Sequence, residues 1–577
     1  MLKGHPKGLF VAFFANMGER FSYYTMLAIF VLYLQAKFGF SAGQAGDYYG
    51  GFLFGIYFLP IVGGIIADRY GYGKTILWGI IIAFFGKIIL TAPGFLEEGL
   101  LTMRHELVVI IVSLVVISFG TGLFKGNLQA LVGKLYDQPM FAPQRDNAFN
   151  VFYMGINIGA FFAPFAATGA VNYVLQMKNF VYENSMPHLT TLHNSVHPFL
   201  DKTIGTVQNT FSGTVHYNDK IANYQQEMGG FGENITAFAD TYTNSLSTGY
   251  SAAFGVAAVA MLISWVVFVI FKKHYQHADV TARQAAAKAA QEGREDDTIK
   301  LSKEEEKKRL VALGLVFITV AFFWMAFHQN GFTMTIFARD YTVSEVSTFD
   351  YMFFDLRSFL PILAALGGFI LMLSRKAALR SRLIGAGIFV AGAAIAYYVH
   401  STFEANPVIE PQLFQSFNPI FIVFLTPVII SFFIWLRKRG KEPSSPKKIG
   451  IGMFITGLGF VVMMIGALKL QSVTGLSPYW LIGTYFTLTV AELFLSPIGI
   501  SFVSKVAPPR FSGLAQGGWL GATAIGNLMA GLVGKLWDVI EIWQFFLLMV
   551  VLTVLSGIFI FSIMGILKRA TESSPQS

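Results

Sequence analysis

The 577-residue chain is 54% hydrophobic and only 13% charged, about half the charged share of an ordinary soluble domain, so it is built for lipid. Its net charge of +9 sits in short loops between apolar runs, which is how a positive-inside bias looks and excludes nucleic-acid binding as the meaning of the basicity. With no cysteine, disulfides, thiol catalysis and Cys-based metal sites are excluded as well.

A bilayer core takes about 20 apolar residues per helical crossing. In chain order the candidate spans fall near 8–35, 43–67, 76–92, 106–133, 148–172 and 248–271, then 310–333, 359–378, 383–402, 411–436, 449–469, 478–503, 511–535 and 542–567. That predicts about fourteen spans, aromatic-rich from 58 Phe and closely packed through 57 Gly. Lys3 and Lys7 precede the first run, and no small-residue cleavage site follows it, so the run reads as a retained span. Counting from a cytoplasmic N-terminus puts Arg69/Lys74, Lys134/Arg145, Arg375/Lys376/Arg380/Arg382, Arg437/Lys438/Arg439/Lys441 and Lys568/Arg569 inside. Glu97/Glu98, Asp340/Glu345/Asp350 and Glu404/Glu410 then face outside. The segregation predicts an inner-membrane, multi-pass protein with both termini cytoplasmic.

Two hydrophilic segments divide the spans. Residues 175–247 form an extracytoplasmic insertion, long for a loop, and 272–309 a charged cytoplasmic linker. The reading is an all-α polytopic membrane protein. Its N-terminal six-helix bundle covers 1–271, the linker 272–309 and the C-terminal bundle 310–577. Eight spans follow the linker, and the surplus pair is most economically an extra transmembrane hairpin over 359–402, because removing it leaves every other orientation intact.

Ionisable groups at membrane depth are costly and point to function. Glu19 and Arg20 in the first span, Lys125 in the fourth, His328 in the seventh and Glu492 in the twelfth fall there, while Lys87 in the third is expected to snorkel. Asn16, Glu19, Arg20, Tyr23 and Tyr24 follow helical spacing and make one polar stripe among Phe, Met and Leu. That stripe fits a substrate or ion-coupling site better than a plain Glu–Arg lock, which leaves the tyrosines unexplained.

Asn16-Met-Gly-Glu-Arg-Phe-Ser-Tyr-Tyr24 resembles the E-x-x-E-R-F-x-Y-Y motif of the proton-coupled oligopeptide transporters, and Phe152–Phe161 matches that family's F-Y-x-x-I-N-x-G-A-F pattern. Gly120–Asn127, Gln415–Phe421 and Glu492–Gly499 resemble further motifs in the expected order, and Gly64–Lys74 resembles the loop shared by the wider major facilitator superfamily. The resemblance implies a major-facilitator fold of two six-helix bundles, and import of di- and tripeptides by proton symport with alternating access. It implies that Lys125 and Arg20 receive the peptide carboxylate, and that Asn157, Asn418 and Glu492 hold its amino terminus. Tyr23, Tyr24 and Tyr57 would line the cavity opposite Trp519, and Glu19, Arg20 and His328 would handle protons. No cofactor or metal is implied, and the expected unit is a monomer in the lipid bilayer.

The chain departs from the family pattern where Asn16 replaces the motif's first Glu, Leu27 an Arg, and His328 a Glu in Phe323–Gly331. The hairpin also follows the seventh span, where bacterial members carry one in the linker. Three other readings share the fold: facilitated diffusion, another small amphoteric or anionic solute, and a transport-dead sensor. An enzyme is not supported, since neither H-E-x-x-H nor G-x-S-x-G occurs.

Overall fold

The computed structural model describes residues 4–96, 100–138, 140–184, 235–279, 302–374, 377–470, 472–473, 475–508 and 511–572. The loop charges Glu97, Glu98, Arg375 and Lys376, most of the 175–247 insertion and the middle of the linker lie outside the described residues.

Long apolar runs become long helices because backbone polar groups in lipid must be satisfied within the segment. In the first half these are α1 (Lys7–Phe38), α2 (Ala42–Tyr70), α3 (Tyr72–Thr91), α4 (Met103–Leu135), α5 (Arg145–Met177) and α6 (Ile235–Ile270). Turn chemistry separates them. Gly39 ends α1 at φ +65°, and Ser41 opens α2 with a capping box to Gln44.

The second half holds α7 (Lys303–Phe327), a 3-10 turn (His328–Gly331) and α8 (Thr333–Asp340), which together make one broken span. Then come α9 (Leu356–Leu373), α10 (Leu379–His400), a 3-10 turn (Pro411–Ser416) and α11 (Phe417–Lys438). The chain continues with α12 (Ser445–Lys469), α13 (Tyr479–Val506), α14 (Ser512–Gly534), α15 (Ile542–Ser562) and the short α16 (Met564–Glu572). Among the described residues, pairing of strand type is confined to two isolated bridges, Thr342 with Leu476 and Glu345 with Val408.

Among the described residues, twelve helical segments are long and apolar enough to cross a membrane. The expectation of fourteen needs two more, α1 and α14. These are long enough at 32 and 23 residues, but a polar stripe in one and many glycines in the other dilute their apolarity.

Several boundaries move, and the seventh span, expected to end at 333, runs on to Asp340 through the break at His328–Gly331. The sixth span is expected from 248, yet α6 begins at Ile235, so the end of the insertion is helix. Its polar composition hides this, because Tyr242 and Leu246 are buried there and Phe180 meets Tyr242 edge-on. The linker's last residues likewise belong to α7, whose first turn Ser302 caps and whose Glu304–Glu306 suit the positive end of the helix dipole.

α1–α6 pack as one group and α7, α8 and α11–α15 as another. The expected hairpin is present as α9 and α10. They meet mainly each other along a seam of small residues, with Gly368 against Gly385 and Gly392 against Pro361. The hairpin docks at one end, where Phe359 touches Phe161 of α5 and Phe417 of α11.

The two groups are joined most firmly at the end that the loop charges assign to the outside. Gly46 and Gly50 of α2 lie backbone to backbone with Gly531 of α14, an approach no side chain would permit. Around them Lys535 pairs with Asp47 at 2.9 Å, Gly43 N–H donates to Asp538 at 3.0 Å, and Arg339 donates to Gln35 at 3.0 Å.

Candidate functional site

The polar stripe of α1 faces the middle of the molecule. Arg20 donates from Nε and Nη2 to the Glu19 carboxylate at 2.5 and 2.7 Å, a two-point grip between sequence neighbours, and both are buried. The guanidinium also stands 4.9 Å from the Tyr23 ring centroid, and Tyr23 meets Tyr24 edge-on. Asn16 donates to the Phe152 carbonyl of α5 at 3.3 Å and so ties two helices together. Lys87 of α3 does not snorkel. It is 1% exposed and within electrostatic reach of Glu19 and Arg20.

Lys125 of α4 is half-buried, its ammonium 3.3 Å from the ring centroid of Tyr57 on α2. Tyr57 in turn meets the His328 ring edge-on at 6.0 Å, which carries the line of contact into the second bundle. His328 sits where α7 breaks into its 3-10 turn, among Trp324 and Phe327, and its Nδ1 lies 3.2 Å from the Trp324 carbonyl. A carbonyl only accepts, so that nitrogen carries a proton.

On the facing side, Asn418 near the start of α11 donates to Glu492 at 3.1 Å and to Thr489 at 3.0 Å, both on α13. Thr489 and Glu492 are three residues apart and therefore share a helix face. Tyr24 and Tyr57 lie within electrostatic reach of Arg20, Glu19 and Glu492, so the acid of one bundle and the ion pair of the other belong to one electrostatic site.

Asn157 is half-buried on α5 and donates to its own helix at the Tyr153 carbonyl at 3.2 Å. Trp519 is buried on α14 with its ring against Gly499 of α13. A Cβ at 499 would come within 2.1 Å of the indole. Gly499→Ala should therefore push Trp519 off its seat and cost about 1–3 kcal/mol of stability, read as a lower melting temperature of the purified protein. An unchanged melting temperature would show that the indole moves freely.

Other neighbours are not legible from single positions. Tyr49 of α2 donates to the His328 carbonyl at 3.3 Å and stacks on Phe332. Gln415 donates to the Ala28 carbonyl of α1 at 3.1 Å and to Thr335 at 3.0 Å. Gln415 stands in the same short motif as Asn418, which is the one signal that could have singled it out.

The arrangement thus has charged groups of opposite sign in the two helix groups, with aromatic rings between them. Among the described residues no cluster of three or more His, Asp or Glu suits a metal ion.

The model of the POT family matches residues 73–182 and 394–546. An uncharacterised transporter of Bacillus subtilis is 27% identical, with 99% of this chain and 96% of the relative aligned. A peptide transporter of Yersinia enterocolitica is 26% identical over 92% of this chain and 88% of its own length. Dipeptide and tripeptide permease A of Escherichia coli is 24% identical over 92% and 84%. Among solved structures, a peptide transporter POT in complex with sulfate superposes with a TM-score of 0.65 at 22% identity, covering 99% of this chain and 96% of its own. A mutant form of a peptide transporter POT bound to alafosfalin gives 0.64 at 23% identity over the same shares. The fold, the ordered motifs and the relatives agree: the chain is a polytopic helical membrane protein similar to the POT family.

Proposed function

We propose that this protein imports di- and tripeptides across the inner membrane by alternating access, coupled to protons. The observation that carries the reading is the division of charge between the bundles. Lys125 and Arg20 lie in one, and the Asn418–Glu492 pair lies in the other. A dipeptide backbone spans about 7 Å at about 3.5 Å per residue. Its carboxylate reaching toward Lys125 and its ammonium toward Glu492 would join the bundles through the ligand, without reading its side chains.

Arg20 is already held by Glu19, so Lys125 is the freer cation and Arg20 the one released when Glu19 is neutralised. A ligand gripped by both halves favours the state in which they close on it, which is the requirement of alternating access. The relatives' names as peptide transporters support the same substrate class. The basic loops support cytoplasmic termini.

The test is counterflow. Proteoliposomes loaded with unlabelled dipeptide should take up labelled dipeptide with no imposed gradient. No exchange from correctly folded protein would remove the carrier reading and leave a sensor of the same fold.

A further inference from the structure

Glu410 stands between α10 and α11, one residue before the membrane-spanning segment that begins at Pro411, on the outer end of the second bundle. It is only 5% exposed. Asn172 of α5, in the first bundle, donates to its Oε1 at 2.6 Å, and Gln412 donates to its Oε2 at 2.6 Å. Gln412 reaches across to Thr168 of α5 at 2.8 Å, and Asn184 donates to the Ile409 carbonyl at 3.2 Å. Three bonds, from Ile409, Glu410 and Gln412, thus fasten this end of the second bundle to α5 and the segment that follows it, and the Gln412–Glu410 bond braces them.

No lysine, arginine or histidine is seen against this carboxylate among the described residues. Tyr182 of the segment after α5, Tyr250 of α6 and Tyr351 before α9 are the titratable groups that feel its charge. Arg339, beyond the first two, is engaged by Asp340 and Gln35.

We propose that Glu410 is a proton-binding site through which acidity on the outer side holds the outer end of the transporter closed. The proposal rests on the alternating-access reading and adds to the residues named for coupling.

A buried carboxylate without a cation has two ways to lower its free energy. It can take a proton, or the bundles can part and let water reach it. Burial pushes the carboxyl up to about 7 in the closed arrangement, with the bonds from Asn172, Gln412 and Thr168 pulling the other way. In the parted state the exposed group returns to the ordinary carboxylate range.

The closed state therefore binds the proton more tightly. Closure is favoured as the outer pH falls below about 7, and that advantage disappears as the pH rises through 7. Between 7 and the ordinary value, each pH unit shifts the closed-to-open ratio by up to about tenfold.

The protonated form also has an acceptor waiting. Gln412 Oε1 is buried and has no partner among the described residues. Turning that amide by half a turn brings its oxygen to the place of Nε2, where it accepts from the Glu410 hydroxyl and the Thr168 hydroxyl together.

The experiment needs no substrate, so its failure is separable from failure of the peptide reading. The chain has no cysteine, so Lys178→Cys and Val539→Cys, exposed at the outer ends of α5 and α14, provide the sole spin-label pair. Distances are measured in nanodiscs between pH 5 and 8.5. The parent should gain a longer distance as the pH rises, and Glu410→Gln, a neutral stand-in for the protonated acid, should keep the short one throughout. Asn172→Ala, which removes a donor to the charged form, should move the midpoint upward. A pH response in Glu410→Gln equal to the parent's overturns the proposal, as does a parent with no response. If Glu410→Gln does not reach the membrane, an unshifted midpoint in Asn172→Ala overturns it.

Discussion

Lys125→Ala and Glu492→Gln should each weaken dipeptide binding by about 10- to 100-fold. The two side chains lie in different bundles, Lys125 over Tyr57 and Glu492 against Asn418, and each would meet a full charge on the peptide. Losing one charge-assisted hydrogen bond costs about 1.5–3 kcal/mol, and every 1.4 kcal/mol is a factor of ten.

The two variants should differ in what they tolerate. Lys125→Ala should bind a peptide with an amidated carboxyl terminus as well as the free one, since the group that read the carboxylate is gone. Glu492→Gln should behave likewise toward an acetylated amino terminus. Titration calorimetry with free and blocked dipeptides checks both, with melting temperature as the control for folding. Parent-like affinity in either folded variant removes that residue from the site.

Glu19→Gln should abolish accumulation driven by an inward proton gradient while leaving counterflow in place. Glu19 holds Arg20 by two bonds in a fully buried position. Its protonation would loosen that grip and free the guanidinium for a peptide carboxylate, which links proton and substrate at one pair of residues. Glutamine keeps the shape and an acceptor oxygen for Arg20 but cannot exchange a proton. Net charge is the second reason for a large effect, because Lys87 and Arg20 are then two buried cations without a nearby buried anion on α1.

His328→Gln should have the same phenotype if the histidine shares the proton. Liposomes holding equal peptide on both sides give the reading. Full accumulation by the double variant would assign coupling elsewhere. Counterflow without accumulation in the parent would make the protein a facilitated-diffusion carrier.

Much of this molecule is legible in one dimension, for a reason particular to membranes. Lipid forces most crossings into continuous apolar helices, so the hairpin of α9 and α10 and the placing of Glu19, Lys125, His328 and Glu492 within apolar runs can be read from the sequence, whereas the break at His328–Gly331 in the seventh span cannot. Local pattern also carries the stripe from Asn16 to Tyr24, because helical spacing fixes which residues share a face.

Partnership is different, since it depends on which helices touch. Nothing local says that Arg20 turns to its own neighbour Glu19, that Lys125 lies over Tyr57, or that Lys87 has no route to the interface. The same holds for Trp519, which packs against a glycine on α13. The polar residues 241–247 read as loop because composition registers their hydroxyls, whereas the fold registers Tyr242 and Leu246 buried under Phe180. Glu410 shows the limit most plainly. As a sequence position it is one more acid in an outer loop, and its burial between Asn172 and Gln412 exists only because two bundles far apart in the chain close over it. Most crossings and the charges within them follow from local sequence, since the cost of exposing backbone or charge to lipid is local. Which charges answer one another follows from helix contacts between residues up to several hundred positions apart, and no local pattern encodes those contacts.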